Sequence, residues 1–139
     1  MPRELIGPAA TWHPECVRTV LLVEDDVRLA MATARTLRPF GYEVIIAFDV
    51  RTADHLLRER TFDLILCDLF LPPDSGLDVL DVVERAKIPA PFLITSGQRT
   101  DEFDWMLRKY PRITAFVPKP CSGEELVRIL AAALPNSGS

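Results

Sequence analysis

The chain has 139 residues, enough for one domain with a real core and too few for two of ordinary size. Its 48% hydrophobic and 26% charged residues are the balance of a soluble globular protein, and a net charge of −4 without a Lys/Arg run disfavours direct binding of nucleic acid. No apolar stretch approaches the ~18 residues of a membrane span and the N-terminus has no signal-peptide core, so no membrane association and a cytoplasmic location are expected.

Residues 1–17 carry Pro2, Pro8 and Pro14 without periodicity and read as a loosely ordered arm, with Trp12 as its one anchor. Arg18–Val23 (RTVLLV) is a short apolar run that stops at Glu24, Asp25 and Asp26, as a buried strand does when it delivers acids to its carboxyl end. Asp26 suits the cap of the helix that follows. In that helix Leu29, Thr33, Leu37 and Phe40 recur at helical spacing, Arg28, Arg35 and Arg38 sit off that face, and Pro39 and Gly41 stop it. Residues 42–48 form a second β-branched run. A helix over 49–60, capped by Asp49, places Ala53, Leu56 and Leu57 inward and leaves His55 solvated.

The stretch 63–76, DLILCDLFLPPDSG, opens with an apolar run suited to a strand buried on both faces. Asp68 arrives where that strand ends, and Pro72 and Pro73 forbid its continuation. Cys67 within it is most simply a small buried apolar residue; Cys16, Cys67 and Cys121 have no metal-ligand spacing and suit a reducing compartment. Leu77, Leu80 and Val83 line a third helix, closed by a turn at 88–91. Residues 91–96 (PFLITS) form a fourth strand ending in two hydroxyls and Gly97. A helix over 99–110 buries Phe103, Met106, Leu107 and Tyr110, and residues 113–117 form a fifth strand ending in Pro118, Lys119 and Pro120. The last helix starts at a Ser122 cap with Glu125 three residues on, a capping box, and buries Leu126, Ile129, Leu130 and Ala133 before Pro135 ends it.

Five strands alternating with five helices imply one doubly wound α/β domain over 18–135, with a parallel five-stranded sheet, helices on both faces and a flexible tail at 136–139. In such a sheet all carboxyl ends share one edge. Glu24, Asp25 and Asp26 arrive there from the first strand, Asp68 from the third, Thr95 and Ser96 from the fourth, and Lys119 from the fifth. Clustered acids cannot all stay ionised without a cation. Hard oxygens without a His or thiolate cluster suit Mg²⁺. A lysine and a hydroxyl facing that ion suit a phosphoryl group, with Asp68 as the nucleophile of an aspartyl phosphate. Singly each signal has a bland reading: an acid pair is often a helix cap, Lys–Pro a turn, a terminal hydroxyl nothing unusual. Their arrival together at one edge is what gives them weight.

Over residues 18–134 the sequence resembles the receiver domain of two-component response regulators. VLLVEDD is similar to that family's acid motif, DLILCDLFLP to its phosphoacceptor motif, PFLITSG to its hydroxyl motif and FVPKP to its lysine motif. The resemblance implies a flavodoxin-like strand order of 2-1-3-4-5, Mg²⁺ held by Glu24, Asp25, Asp68 and the backbone carbonyl of Phe70, and phosphorylation of Asp68 by a histidine kinase or histidine phosphotransfer protein. It implies too that Lys119 pairs with the phosphoryl oxygens, that Ser96 (with Thr95 as the alternative) is the switch hydroxyl, and that the rotamer of Phe116 tracks activation. Three departures stand out. Ser75 precedes Gly76 where an acid is common, Ile113–Ala115 replaces the usual small residues, and Cys121 follows Lys–Pro where Phe is frequent.

The expected role is a phosphorylatable signalling module that docks to a downstream protein or passes phosphate along a relay. It would catalyse only its own phosphoryl transfer and dephosphorylation. The chain ends directly after its last helix, so no attached DNA-binding unit is expected. A pseudo-receiver or interaction domain working without phosphorylation is the alternative. A phosphatase-like hydrolase fits poorly because Phe70 stands where its second acid would be, and a flavin protein fits poorly because acids follow the first strand. Trp105, pointing away from the buried face of its helix, is expected on a docking surface or a phosphorylation-dependent dimer interface rather than lying along its own helix.

Overall fold

The computed structural model describes residues 17–97 and 100–135; the arm with Trp12 and the tail at 136–139 lie outside them. Strand β1 (Arg18–Val23) leads to α1 (Val27–Leu37) and a 3₁₀ turn (Arg38–Phe40), then β2 (Tyr42–Ala47) and α2 (Val50–Glu59). β3 (Leu64–Asp68) is followed by two short strands, β4 (Phe70–Leu71) and β5 (Asp74–Ser75), then α3 (Gly76–Arg85), β6 (Phe92–Ser96), α4 (Thr100–Lys109), β7 (Ile113–Pro118) and α5 (Gly123–Ala133). The main sheet is parallel, ordered β2-β1-β3-β6-β7, which is 2-1-3-4-5 counting its five strands alone. β4 and β5 pair antiparallel in a ribbon that the prolines had concealed.

Every residue of β3 is buried, as its unbroken apolar run requires of a central parallel strand. Alternation divides the core into two layers. Leu21, Val23, Ile65, Cys67 and Ile94 face α2, α3 and α4, where they meet Ala53, Leu57, Val79, Val83 and Met106. Val20, Leu22, Leu64, Leu66, Leu93 and Val117 face α1 and α5, where they meet Ala30, Ala34, Leu37, Leu126 and Leu130.

The helix starts are chemically plain. Asp26 accepts from the Leu29 N–H at 3.1 Å and Asp49 from the Thr52 N–H at 2.8 Å, both as expected of N-caps. Ser75, at the position where an acid is common, caps α3 in a reciprocal capping box with Asp78. The box read at α5 forms only in part: Ser122 accepts from the Glu125 N–H, but the Glu125 carboxylate turns to Arg128 at 2.7 Å. Gly41 ends the first helical segment at φ 92°, a left-handed conformation that glycine adopts without steric penalty.

Two helix faces differ from the sequence pattern. On α1 the residues against the sheet are Ala30, Ala34 and Leu37, while Leu29 is 37% exposed and Phe40 is exposed on the turn beyond. Large side chains dominate a periodicity reading, but small ones let a helix lie close to a sheet, and here the alanines take the inner face. On α4 Phe103 and Met106 are buried and Tyr110 partly so, but Leu107 is 38% exposed. Around Ile113 the register of β7 on β6 shifts, and the Thr114 hydroxyl accepts the Phe92 N–H at 3.2 Å. Next to it the Arg112 guanidinium donates to the carbonyls of Ile88 and Ala90.

Filling the close α1–sheet contact tests the reassigned face. Ala34→Leu is expected to destabilise the fold by about 1–3 kcal/mol through overpacking, and Leu29→Ala by less than about 1 kcal/mol. Urea unfolding of the two variants checks this, and the opposite order would restore Leu29 to the core.

Candidate functional site

The carboxyl ends of β1, β3, β6 and β7 converge as parallel pairing demands. Glu24 follows β1 and is held to its neighbour strand by its N–H, which donates to Ala47 O at 3.0 Å. Asp68 is the last residue of β3, paired in register with Thr95. Lys119 follows β7, and its N–H donates to Ser96 O at 3.0 Å.

Glu24 and Asp68 are both buried, 3% and 5% exposed, beside exposed Asp25. One carboxylate oxygen from each of the three lies within 4.8 Å of the others. The Lys119 ammonium reaches into this cluster, 2.9 Å from Glu24 Oε1 and 3.0 Å from Asp68 Oδ2. The Asp26 N–H donates to Glu24 Oε2 and the Phe70 N–H to Asp68 Oδ1, both at 3.2 Å. Every oxygen of the two buried acids therefore has a donor, and each keeps a second lone pair.

The charges respond to this packing. Burial pushes the Glu24 carboxyl above its ordinary range, against the bonds from Lys119 and Asp26 that favour its charged form. Burial alone would lower Lys119, but its hydrogen bonds to Glu24 and Asp68 hold it above the usual lysine value, so it stays a cation. Burial raises the Cys67 thiol well up, with Asp68 and Glu24 adding to the effect. Cys67 is thus an inert core residue, its Sγ 3.3 Å from Asp68 O. The partly buried Cys121 packs beside the layer under α5, where the aromatic usual after Lys–Pro would otherwise lie.

The donor set fits a hard divalent cation: three carboxylates at one edge, two of them buried, and no imidazole or thiolate among them. Asp26 stands apart from the cluster, occupied with its cap.

Thr95 and Ser96 are both buried at the end of β6. Strand alternation sends them to opposite faces. Ile94 pairs with Phe116 and belongs to the layer under α4, so Ser96 shares that face with Phe116, while Thr95 pairs with Val117 on the other. Phe116 stacks on Phe103 of α4, ring centroids 4.0 Å apart and planes inclined by 10°. Trp105 points outward as expected, 50% exposed, with the Lys109 ammonium 5.2 Å from its ring centroid, so the indole also lies partly along its own helix. Phe70 is 71% exposed at the rim of the site.

The sequence reading did not single out Gly76. A Cβ there would lie 2.4 Å from Asp68 O, and its N–H donates to Leu69 O at 2.8 Å, so the start of α3 folds directly onto the backbone of the acid. The signal was present as a lone Gly at a helix start, a position that alone has many explanations.

A doubly wound sheet with an acid cluster and a lysine at its carboxyl edge defines the class. Within it, the chain belongs to the response regulator receiver domain family, whose model matches residues 20–131. It is 31% identical over 118 residues to the transcriptional regulatory protein CpxR of Escherichia coli, covering 85% of this chain and 50% of CpxR. It is 33% identical over 115 residues to the DNA-binding response regulator MtrA of Mycolicibacterium paratuberculosis, covering 83% of this chain and 50% of MtrA. The chain thus spans about half the length of these relatives. Among solved structures, the chemotaxis protein CheY4 of Vibrio cholerae matches with a TM-score of 0.78 at 26% identity, over 86% of this chain and all of that one. The receiver domain of a LuxO repressor protein from Vibrio parahaemolyticus matches at 0.76 and 28% identity, over 84% and 88% of the two chains. No helix among the described residues is long and apolar enough to cross a membrane.

Gly76→Ala should destabilise the protein by about 1–3 kcal/mol, because the clash is with backbone that has no easy retreat. Gly97→Ala, whose Cβ would meet nothing closer than Lys119 O at 4.0 Å, should be near neutral. Thermal unfolding of the pair decides; equal losses would show that the Gly76 contact is unimportant.

Proposed function

We propose that the chain is a phosphoacceptor signalling module in which Asp68 takes a phosphoryl group from a histidine kinase or histidine phosphotransfer protein. The observation that carries this reading is the single ammonium of Lys119 bound at once to Asp68 and Glu24, with Asp25 alongside. In the transfer an Asp68 oxygen attacks phosphorus, the P–N bond to the donor histidine breaks, and the imidazole leaves with that electron pair. Glu24, Asp25, Asp68 and the Phe70 carbonyl would hold Mg²⁺, and neutralisation of phosphoryl charge is the chemistry a bound Mg²⁺ supplies. Lys119 exchanges its grip on the carboxylate for one on the phosphoryl oxygens, remaining charged throughout. Ser96, on the face it shares with Phe116, is the hydroxyl that meets the phosphoryl group and passes its position to the aromatic ring. The chain acts as an enzyme only on itself, in accepting and losing this group.

Output is by protein docking, with exposed Trp105 on the surface that partners or a second copy would cover. CpxR and MtrA are by name regulators of transcription or DNA-binding, so a DNA-binding unit is one form of downstream target. The net charge of −4 assigns that contact to the target rather than to this domain.

Asp68→Asn should abolish labelling by a kinase or a small phosphodonor while leaving circular dichroism unchanged; retained labelling would overturn the assignment. Mg²⁺ should be required for labelling and should raise the melting temperature, with Asp25→Ala weakening both effects more than Asp26→Ala. The rise should fade as pH falls through the elevated range of Glu24, above the ~4.3 of an ordinary glutamate, because protonation removes a ligand. Ser96→Ala should preserve labelling but remove the accompanying change in Trp105 fluorescence. Loss of that change in Thr95→Ala alone would move the switch one residue.

A further inference from the structure

We propose that Phe103, on α4, is a positioning residue that opposes phosphorylation: by stacking on Phe116 it holds β7 in the arrangement in which Lys119 grips Asp68 directly. The inference rests on the phosphoacceptor reading of Asp68.

The two rings lie nearly parallel with centroids 4.0 Å apart, a contact across the gap between α4 and β7. Phe103 is buried and Phe116 half-buried, so the stack is largely shielded from water and its loss is felt. Phe116 stands three residues before Lys119 on a strand that is locked at its far end by Arg112 and Thr114. The near end has two ties. One is the Lys119 N–H to Ser96 O at 3.0 Å; the other is the ammonium, 3.0 Å from Asp68 Oδ2 and 2.9 Å from Glu24 Oε1.

A phosphoryl group on Asp68 disturbs this end whichever oxygen carries it. On Oδ2 it occupies the place of Lys119 Nζ; on Oδ1 it removes the carboxylate charge and draws the ammonium to its own oxygens. In both cases Nζ leaves its present position and the end of β7 must accommodate the change. α4 meets the sheet through Phe103, Met106 and the partly buried Tyr110, since Leu107 faces outward. Of these, Phe103 is the residue stacked on Phe116. The stack therefore favours the direct Lys119–Asp68 grip, and anything that displaces the grip must work against it. By reciprocity, removing the stack makes Asp68 easier to load.

The full-length protein with Trp12→Phe has Trp105 as its one indole. Titration with beryllium fluoride and Mg²⁺, a mimic of the phosphoryl group on a carboxylate, is followed through that fluorescence. Phe103→Leu keeps an apolar side chain but not the stack, and should lower the midpoint roughly two- to tenfold, the range of an aromatic pair. Phe116→Leu removes the same stack from the strand side and should lower it similarly, which covers the case in which the helix variant fails to fold. Adding Phe103→Leu to Phe116→Leu should then change nothing further. An unchanged or raised midpoint in either single variant, or an equal shift from Phe103→Leu in both backgrounds, would overturn the proposal, the latter because a merely structural residue acts regardless of Phe116. Absence of any titration in the parent protein, matching Asp68→Asn, would instead remove the phosphoacceptor reading on which it stands.

Discussion

Two carboxylates buried at the ends of neighbouring strands are the constraint around which this domain is arranged. Glu24 and Asp68 are almost inaccessible to solvent, and neither could remain ionised there without a cation. Lys119 supplies it from β7, across the intervening β6, because the strand order places β1 and β3 side by side with β7 at the edge. Lysine suits the task better than arginine: its ammonium is a compact charge on a flexible stem, and bonds to the two acids leave a third donor to offer an incoming oxygen. The same pairing that stabilises the fold is thus the one that a phosphoryl group would compete with.

What was legible in the sequence follows from how strongly each element is constrained. β3 is buried on both faces, so every residue had to be apolar until Asp68, and its extent could be read almost to the residue. The acids and Lys119 were legible because strand ends in a parallel sheet have nowhere to go but one edge. The helices were read less well. α1 presents Ala30 and Ala34 to the sheet, and small residues carry little weight in a periodicity that Leu29 and Phe40 dominate. Leu107 on α4 was misplaced for the same reason, an apolar residue taken for a buried one.

The contacts that sequence could not show are those between segments far apart in the chain. Gly76 lies against the Asp68 backbone only because β4 and β5 fold back as a ribbon, and nothing in PPDS announces that return. The departures from the family pattern become intelligible in the same terms. Ser75 replaces an acid yet still caps α3, with Asp78 closing the reciprocal bond. The larger residues at the start of β7 come with a register shift in which Thr114 takes over an N–H that regular pairing would have satisfied.

That register shift bears on how a local change of charge becomes a change of shape. At its amino end β7 is held by the Thr114 hydroxyl and by Arg112, whose guanidinium ties it to the segment entering β6. At its carboxyl end the strand is held to the site by an ion pair, whose strength depends on the charge of Asp68. One end is fixed by hydrogen bonds indifferent to phosphorylation and the other by the interaction that phosphorylation alters. A strand so mounted yields at the end carrying Lys119, and Phe116, between the two, transmits that movement to α4.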